Sequence, residues 1–267
     1  VLFALVLSIV MPPACGHARR TSGNGNKLPI APQPFGSGRI GGVRMSDGLA
    51  RVSDAVTIVR GEEELFRRTA HLFATVTDLT CAANDLATWM AERRSEELAA
   101  ATAGRLGDIR IRKIYRSGVL LDSVSARELA RHRDRFGAQI RITTEEINET
   151  IIIDRRVVIL AGDRRAGRRS YSVITQPETV QGVMSLFETA WRSATDLAVY
   201  DAQVAEIRRL APAVLDLLSE GVKDEAAARR LGLGVRTYRR RVAELMAALG
   251  AESRFQAGVR ARDLGLV

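Results

Sequence analysis

The last 61 residues, 207–267, constrain the fold more than any other part of the 267-residue chain. Four apolar-periodic runs follow one another there. Ala213-Val214-Leu215-Asp216-Leu217-Leu218-Ser219-Glu220 ends at Gly221, and Asp224 to Leu231 ends at Gly232. Val235 to Leu249 is the third run and Arg254 to Leu264 the fourth. Glycine enters the left-handed conformation that closes a helix without steric cost, so it reads as a helix stop. Short helices joined by tight glycine turns are the outline of a helix-turn-helix unit.

The third run sorts its faces. Val235, Tyr238, Val242, Leu245 and Leu249 recur at helical spacing and are expected to bury. Arg236, Arg239 and Arg240 project elsewhere, with Arg241 at the boundary. From Arg229 to Arg241 the chain carries six arginines and no acid. A merely solvated face would mix both signs at i,i+4 spacing. Arginines clustered at the start of a helix instead neutralise phosphates and reach guanine edges in the major groove, so double-stranded DNA is the expected partner. The charge distribution agrees. The net +9 splits into five basic residues and no acid over residues 1–44, 23 basic against 24 acidic over 45–206, and 12 against 7 over 207–267.

The same stretch resembles the LuxR-type helix-turn-helix of transcriptional regulators. The shared residues are Val214-Leu215, Leu217-Leu218 and Gly221, then Ala228, Leu231-Gly232 and Val235-Arg236-Thr237. Leu249-Gly250-Ala251, Arg254 and the closing Gly265-Leu266-Val267 complete the set. The resemblance implies an all-α four-helix domain over 201–267, without a wing. It implies phosphate contacts from Lys223 and Thr237, and base and backbone contacts from Arg236, Arg239, Arg240 and Arg241. It also implies a homodimer joined through the fourth helix. Departures are Leu210-Ala211-Pro212-Ala213 in place of the usual acidic opening stretch, Gly234 for Ser, Tyr238 for Val and Arg241 for His. Lys223 stands where Ser or Thr commonly caps, which costs the unit about 1 kcal/mol.

Residues 45–200 alternate helical and β-rich patterns, predicting an α/β domain with a mixed sheet flanked by helices. Helices are expected over Glu62 to Phe73, Leu86 to Leu106 and Ser123 to Phe136, the last capped by Ser123 or Ser125. Strands are expected over 74–83, 109–115, 139–142, 150–153, 157–160 and 171–174. Pro177 opens a long helix running toward Leu210, expected to set the separation of two DNA half-sites. The order Glu149-Thr150-Ile151-Ile152-Ile153-Asp154, a turn, then Val157-Val158-Ile159-Leu160 resembles the core hairpin of phospholipase D-like domains, over about residues 60–195. Those enzymes use a His nucleophile, a Lys two residues on and an Asp five further. Aligning that Asp with Asp154 puts Glu149 at the Lys position and Ile147 at the His position. Isoleucine cannot attack phosphorus, and an acid there repels a phosphodiester. The resemblance therefore implies a catalytically empty domain similar to the effector regions of TrmB-like regulators, which bind a small molecule or act as a scaffold. A drifted phosphodiesterase of phospholipase D-like type is the rival expectation. Asp154 reads as a turn residue, Asn84-Asp85 as a helix cap rather than a pocket wall, and His71 and His132 as surface or boundary residues.

Two cysteines and three histidines exclude a disulfide scaffold and a histidine-rich metal centre, and no glycine-rich phosphate loop appears. No cofactor or metal is expected. No apolar run reaches the roughly 20 residues that span a bilayer. The apolar Val1 to Val10 has no basic residue before it, the reverse of a signal peptide, and 21–44 is rich in Gly, Pro, Ser and Asn. Residues 1–44 read either as a signal or anchor with a linker, or as a disordered or untranslated extension before Met45. The cytoplasmic character of residues 45–267 favours the second.

Overall fold

The computed structural model describes residues 55–84, 86, 109–165 and 168–267. The expectations for residues 1–44, for Asp85 and for a helix beyond Leu86 lie outside the described residues.

The chain enters on strand β1 (Val56–Arg60). Gly61, at φ 88°, turns it into helix α1 (Glu62–Thr75), whose first turn carries Glu62, Glu63 and Glu64 against the positive end of the helix dipole. Strands β2 (Asp78–Ala83) and β3 (Arg110–Arg116) follow, then a 3₁₀ turn (Ser117–Leu121) and α2 (Ser123–Phe136). The cap of α2 is Asp122, not Ser123 or Ser125: its carboxylate accepts from the Ser125 backbone N–H at 2.7 Å. Next come β4 (Gln139–Thr143), β5 (Thr150–Ile153), β6 (Val157–Arg165) and β7 (Arg168–Ile174). Helix α3 (Pro177–Ser193), the short β8 (Thr195–Asp196) and helix α4 (Leu197–Ser219) lead to α5 (Asp224–Arg230), α6 (Val235–Ala248) and α7 (Arg254–Asp263).

The eight strands form one mixed sheet in the order β1-β7-β6-β5-β2-β3-β4-β8. Strands β2, β3 and β4 run parallel and the other pairs antiparallel. Central β2, β3 and β5 are buried along almost their whole length, as strands covered on both faces must be. One face carries Leu79, Ile111, Ile140, Ile151 and Ile159, covered by α1, α2 and α4. The other carries Ala82, Ile114, Ile152 and Val158, covered by α3 through Val180, Met184 and Phe187.

The helix expected from Pro177 toward Leu210 is two helices. Ala194 is extended (φ −75°, ψ 145°), and Thr195 and Asp196 pair with Ile142 and Arg141 of β4. Asp196 then caps α4 by accepting from the Ala198 N–H at 2.8 Å. Asp is a preferred cap residue, and the local break gains sheet bonds as well. Nor is the run Ala213 to Gly221 a separate helix. It is the end of the 23-residue α4, which continues through Pro212. An internal proline costs about 3 kcal/mol, offset here by the burial of Ala211, Val214, Leu215 and Leu217 on either side of it.

The expected boundary at 200/201 falls inside α4, and a single apolar cluster runs from Val59 of β1 to Ala261 of α7. The 3₁₀ turn is the junction. Ser117 Oγ donates to the Ala248 carbonyl at 2.5 Å, and Gly118 lies so near Leu264 that a Cβ would stand 2.6 Å from its Cδ1. Arg208 of α4 donates to the Leu120 carbonyl. Arg260 of α7 donates to the Leu249 carbonyl at 3.1 Å and to Glu146 Oε1 at 2.9 Å.

His71 is exposed, whereas His132 is buried, 5% exposed, with Nδ1 2.9 Å from the Glu128 carbonyl and its ring against Phe136. Burial, with the neighbouring Lys113 charge, pushes its pKa down to about 4. Below its ordinary value of 6.5 the unfolded chain takes up a proton that the folded chain refuses. The associated stability is complete above pH 6.5 and is lost as pH falls toward 4. Urea unfolding at pH 7 and pH 4.5 should show His132→Leu losing about 2 kcal/mol less on acidification than the parent chain. Equal losses would contradict this origin.

Candidate nucleic-acid interface

Helices α5 and α6 are joined by a turn whose geometry comes from Gly232. It adopts φ 65°, the Gly232 N–H donates to the Arg229 carbonyl at 3.1 Å, and the Leu233 N–H reaches the Ala228 carbonyl at 2.8 Å. This paired closure satisfies the last carbonyls of α5 and redirects the chain within two residues. The same pattern recurs at the ends of α4, α6 and α7, at Gly221, Gly250 and Gly265. Four closures of one kind produce the compact helical unit.

On α6, Tyr238, Val242, Leu245 and Ala248 are buried and Val235 is half-buried. Arg236, Arg239 and Arg240 are exposed and Thr237 is half-buried. Arg236 and Arg240 stand one turn apart, with Thr237 and Arg239 flanking them. Lys223 is exposed at the start of α5 and makes no side-chain cap bond.

The six-arginine stretch is less uncompensated in space than in the linear chain. Arg239 Nε donates to Asp224 Oδ2 at 2.8 Å, and its Nη2 lies 3.4 Å from Glu225 Oε1. Arg254 of α7 takes the other Asp224 oxygen at 2.9 Å. The Arg239 guanidinium, with Arg254, holds the Asp224 carboxyl below the usual carboxylate range. Arg241, with only 12% of its side chain exposed, is paired with Glu206 of α4 and donates to Glu244 Oε2 at 2.7 Å. Arg240 stands 3.7 Å from Glu244 Oε1. Among the described residues Arg236 has no acidic partner. The structure therefore brings Arg236, Thr237 and Arg240 together on an exposed, lightly compensated stretch. It ties Arg239 to the start of α5 and turns Arg241 toward α4. Asp224 and Glu206, which order this face, were not singled out by the sequence, and Arg254 was singled out only through the LuxR-type pattern; the only signal for the acids was Asp224-Glu225 directly after Lys223.

The positions that align with phosphodiesterase chemistry are occupied otherwise. Ile147 packs into the apolar cluster of the second sheet face. Glu149, 4% exposed, is ion-paired with Arg169 and accepts from the Asn84 backbone N–H at 3.3 Å. The helix that Asn84 was expected to cap lies outside the described residues, and among the described residues its buried Oδ1 has no hydrogen-bond partner. Asp154 does more than turn the chain. Its Oδ1 accepts from Thr77 N at 2.8 Å, Thr77 Oγ1 at 3.0 Å and Asp78 N at 2.9 Å, pinning the β5–β6 turn to the start of β2.

No family model matches the chain. A regulatory protein of the bialaphos biosynthetic pathway from Streptomyces hygroscopicus is 35% identical over 132 residues, 49% of this chain and 52% of that protein. The chain thus spans about half the length of this curated relative. Among solved structures, the archaeal chromatin protein TrmBL2 is 14% identical, with 55% of this chain and 56% of that one covered and a TM-score of 0.40. The phospholipase D family member Nuc from Salmonella typhimurium is 13% identical, with 53% and 97% covered and a TM-score of 0.40. Among the described residues no helix is long and apolar enough to cross a membrane.

Nothing lies within 4 Å of a Cβ built on Gly232, so a substitution there isolates the conformational cost of its positive φ. Gly232→Ala should lower stability by about 1 kcal/mol in urea unfolding. An unchanged midpoint would mean that the turn does not need the left-handed conformation.

Proposed function

We propose that the chain is a DNA-binding transcriptional regulator that reads duplex DNA with the first half of α6. The observation that carries this reading is the exposed pair Arg236 and Arg240, with the half-buried Thr237 beside them, at the start of α6. Guanidinium groups there suit guanine O6 and N7 in the major groove, and a flanking hydroxyl suits a phosphate oxygen. Lys223 and Arg239 add phosphate contacts from the flank. Arg241 acts as a positioning residue, because its pairing with Glu206 fixes α6 against α4.

The regulatory relative supports the same role. The LuxR-type pattern of the last helices supports sequence-specific binding as a homodimer. Helix α7 offers the dimer surface, with Phe255 81% exposed beside Val259 and Val267. The α/β part, with Ile147 and Glu149 at the aligned catalytic positions, acts as a phospholipase D-like, TrmB-like effector domain without catalysis, and the protein works in the cytoplasm. It is joined to the reading helix by α4, so geometry is transmitted through this shared helix rather than through a long spacer from Pro177.

The test is fluorescence anisotropy on fragments selected from the native genome by the full chain. The R236A/R240A variant should bind such a fragment about 10- to 100-fold more weakly at fixed salt. Its dependence of log affinity on log salt should flatten by about one unit for each phosphate no longer neutralised. Affinity and slope equal to those of the parent chain would overturn the assignment.

A further inference from the structure

A second basic surface lies away from α6, and it is concave. Between the β5–β6 turn and α3 the second sheet face opens into a groove of about 730 Å³, within the size range of small-molecule sites. Arg155 and Arg156 form one wall, and Gln181, Ser185, Thr189 and Arg192 of α3 the other. Met184 is the apolar floor.

We propose that this groove binds a small polyanion, a phosphorylated metabolite or a di- or tricarboxylate. Three cations converge on it with little compensation. Among the described residues Arg156 has no ion-pair partner, and Arg192 bonds only the Thr189 hydroxyl at 3.2 Å. Arg155 lies 3.8 Å from Glu188 Oε1, an oxygen already held at 2.8 Å by Arg112 beneath it. Arg112 is 3% exposed, rests under Phe187 and Trp191, and leaves Nε and Nη2 without hydrogen-bond partners. Glu188 is therefore claimed from below and does not neutralise the groove.

The backbone supplies an independent argument. Asp154 and Arg155 sit at φ 49° and 57°, and the Arg156 N–H closes the turn on the Ile153 carbonyl at 2.9 Å. A two-residue hairpin of this kind favours glycine at its second position. Arginine there strains the chain, and such strain is characteristic of functional sites. The triple bond set from Asp154 Oδ1 to Thr77 and Asp78 holds that conformation in place. The result is a fixed backbone from which the Arg155 side chain leaves at the groove wall.

A second nucleic-acid contact fits this surface less well. Asp154 adjoins the start of β2, whereas the helical unit is attached beyond the end of the parallel β3, on the other face. One strand length, roughly 20 Å, separates them along the sheet. A recess on the far side of the sheet suits a small molecule. Helix α3, one wall of the groove, runs through β8 directly into α4.

The experiment is thermal unfolding of the full chain with citrate, inorganic pyrophosphate or uncharged glucose, ionic strength being held constant with sodium chloride. Citrate and pyrophosphate separate the carboxylate from the phosphate source. At ten times its dissociation constant the preferred anion should raise the midpoint by about 3 °C, and glucose should not. Arg155→Gly should keep or raise the midpoint without ligand, because glycine accepts this φ freely, and should lose the anion response. R192A should lose it too. R236A/R240A, altered only on the other basic surface, should retain it. A response that persists in Arg155→Gly, disappears in R236A/R240A, or is absent for both anions overturns the proposal. So does an Arg155→Gly variant that binds DNA more weakly yet keeps the anion response. Because the groove is read without DNA, loss of the DNA-binding assignment leaves these outcomes unchanged.

Discussion

The burial of α4 is the constraint on which the rest of the molecule depends. Leu197, Val204 and Ile207 pack with the first sheet face, while Ala211, Val214, Leu215 and Leu217 belong to the same cluster as Tyr238, Leu245 and Ala257 of the following helices. One helix therefore lends its buried stripe to a sheet at one end and to a helical unit at the other. Helices as short as α5, with seven residues, are not stable alone and draw their order from such packing. The Ser117–Ala248 bond and the close approach of Gly118 to Leu264 fasten the same junction from the sheet side.

Ion pairs then orient what the apolar core has placed. Hydrophobic burial is non-directional, so it cannot by itself fix the rotation of α6. Glu206 and Glu244 hold Arg241, and Asp224 holds both Arg239 and Arg254. Most of these are exposed contacts of small individual worth, but together they connect α4, α5, α6 and α7. The same pairs consume charge. What remains for a partner is the start of α6, a smaller and better defined surface than six arginines between 229 and 241 suggest. A helix presenting a few free guanidinium groups at one end suits a groove better than one charged all round.

Six of the eight strands were legible because they are β-rich runs bounded by turns, whereas β1 and the two-residue β8 carry too little pattern to be read. The mixed sheet flanked by helices was legible for the same reason. The break at Ala194 was not, because helical spacing of apolar residues continues through it to Leu197. Only pairing of Thr195 and Asp196 with β4, more than 50 positions earlier in the chain, decides against a helix there. The reverse error occurred at Pro212, where a local helix-breaking signal yields to tertiary burial. His132 was misplaced because a single polar residue in an amphipathic pattern does not reveal which neighbour packs on it. At the candidate interface the buried and exposed faces of α6 followed from spacing alone. Asp224 and Glu206, the distant partners of Arg239 and Arg241, lie 15 and 35 positions away, and no local rule reaches that far. The positive φ of Arg155 was equally hidden, since Asp-Arg is not a dipeptide that announces such a turn.

Shape separates the two basic surfaces more sharply than charge does. Arg236 and Arg240 stand on a convex helix, where each guanidinium has open space in front of it and can lie along an edge or a phosphate of a larger body. Arg155, Arg156 and Arg192 face inward across a recess, so their fields add at one point rather than along a line. Convergent like charges repel, which disfavours such an arrangement unless something anionic occupies the centre. In the first case removal of charge by pairing, as at Arg239 and Arg241, sharpens the surface. In the second the acid that lines the recess, Glu188, is engaged by a buried arginine below, and Arg155 and Arg156 are left across from Arg192.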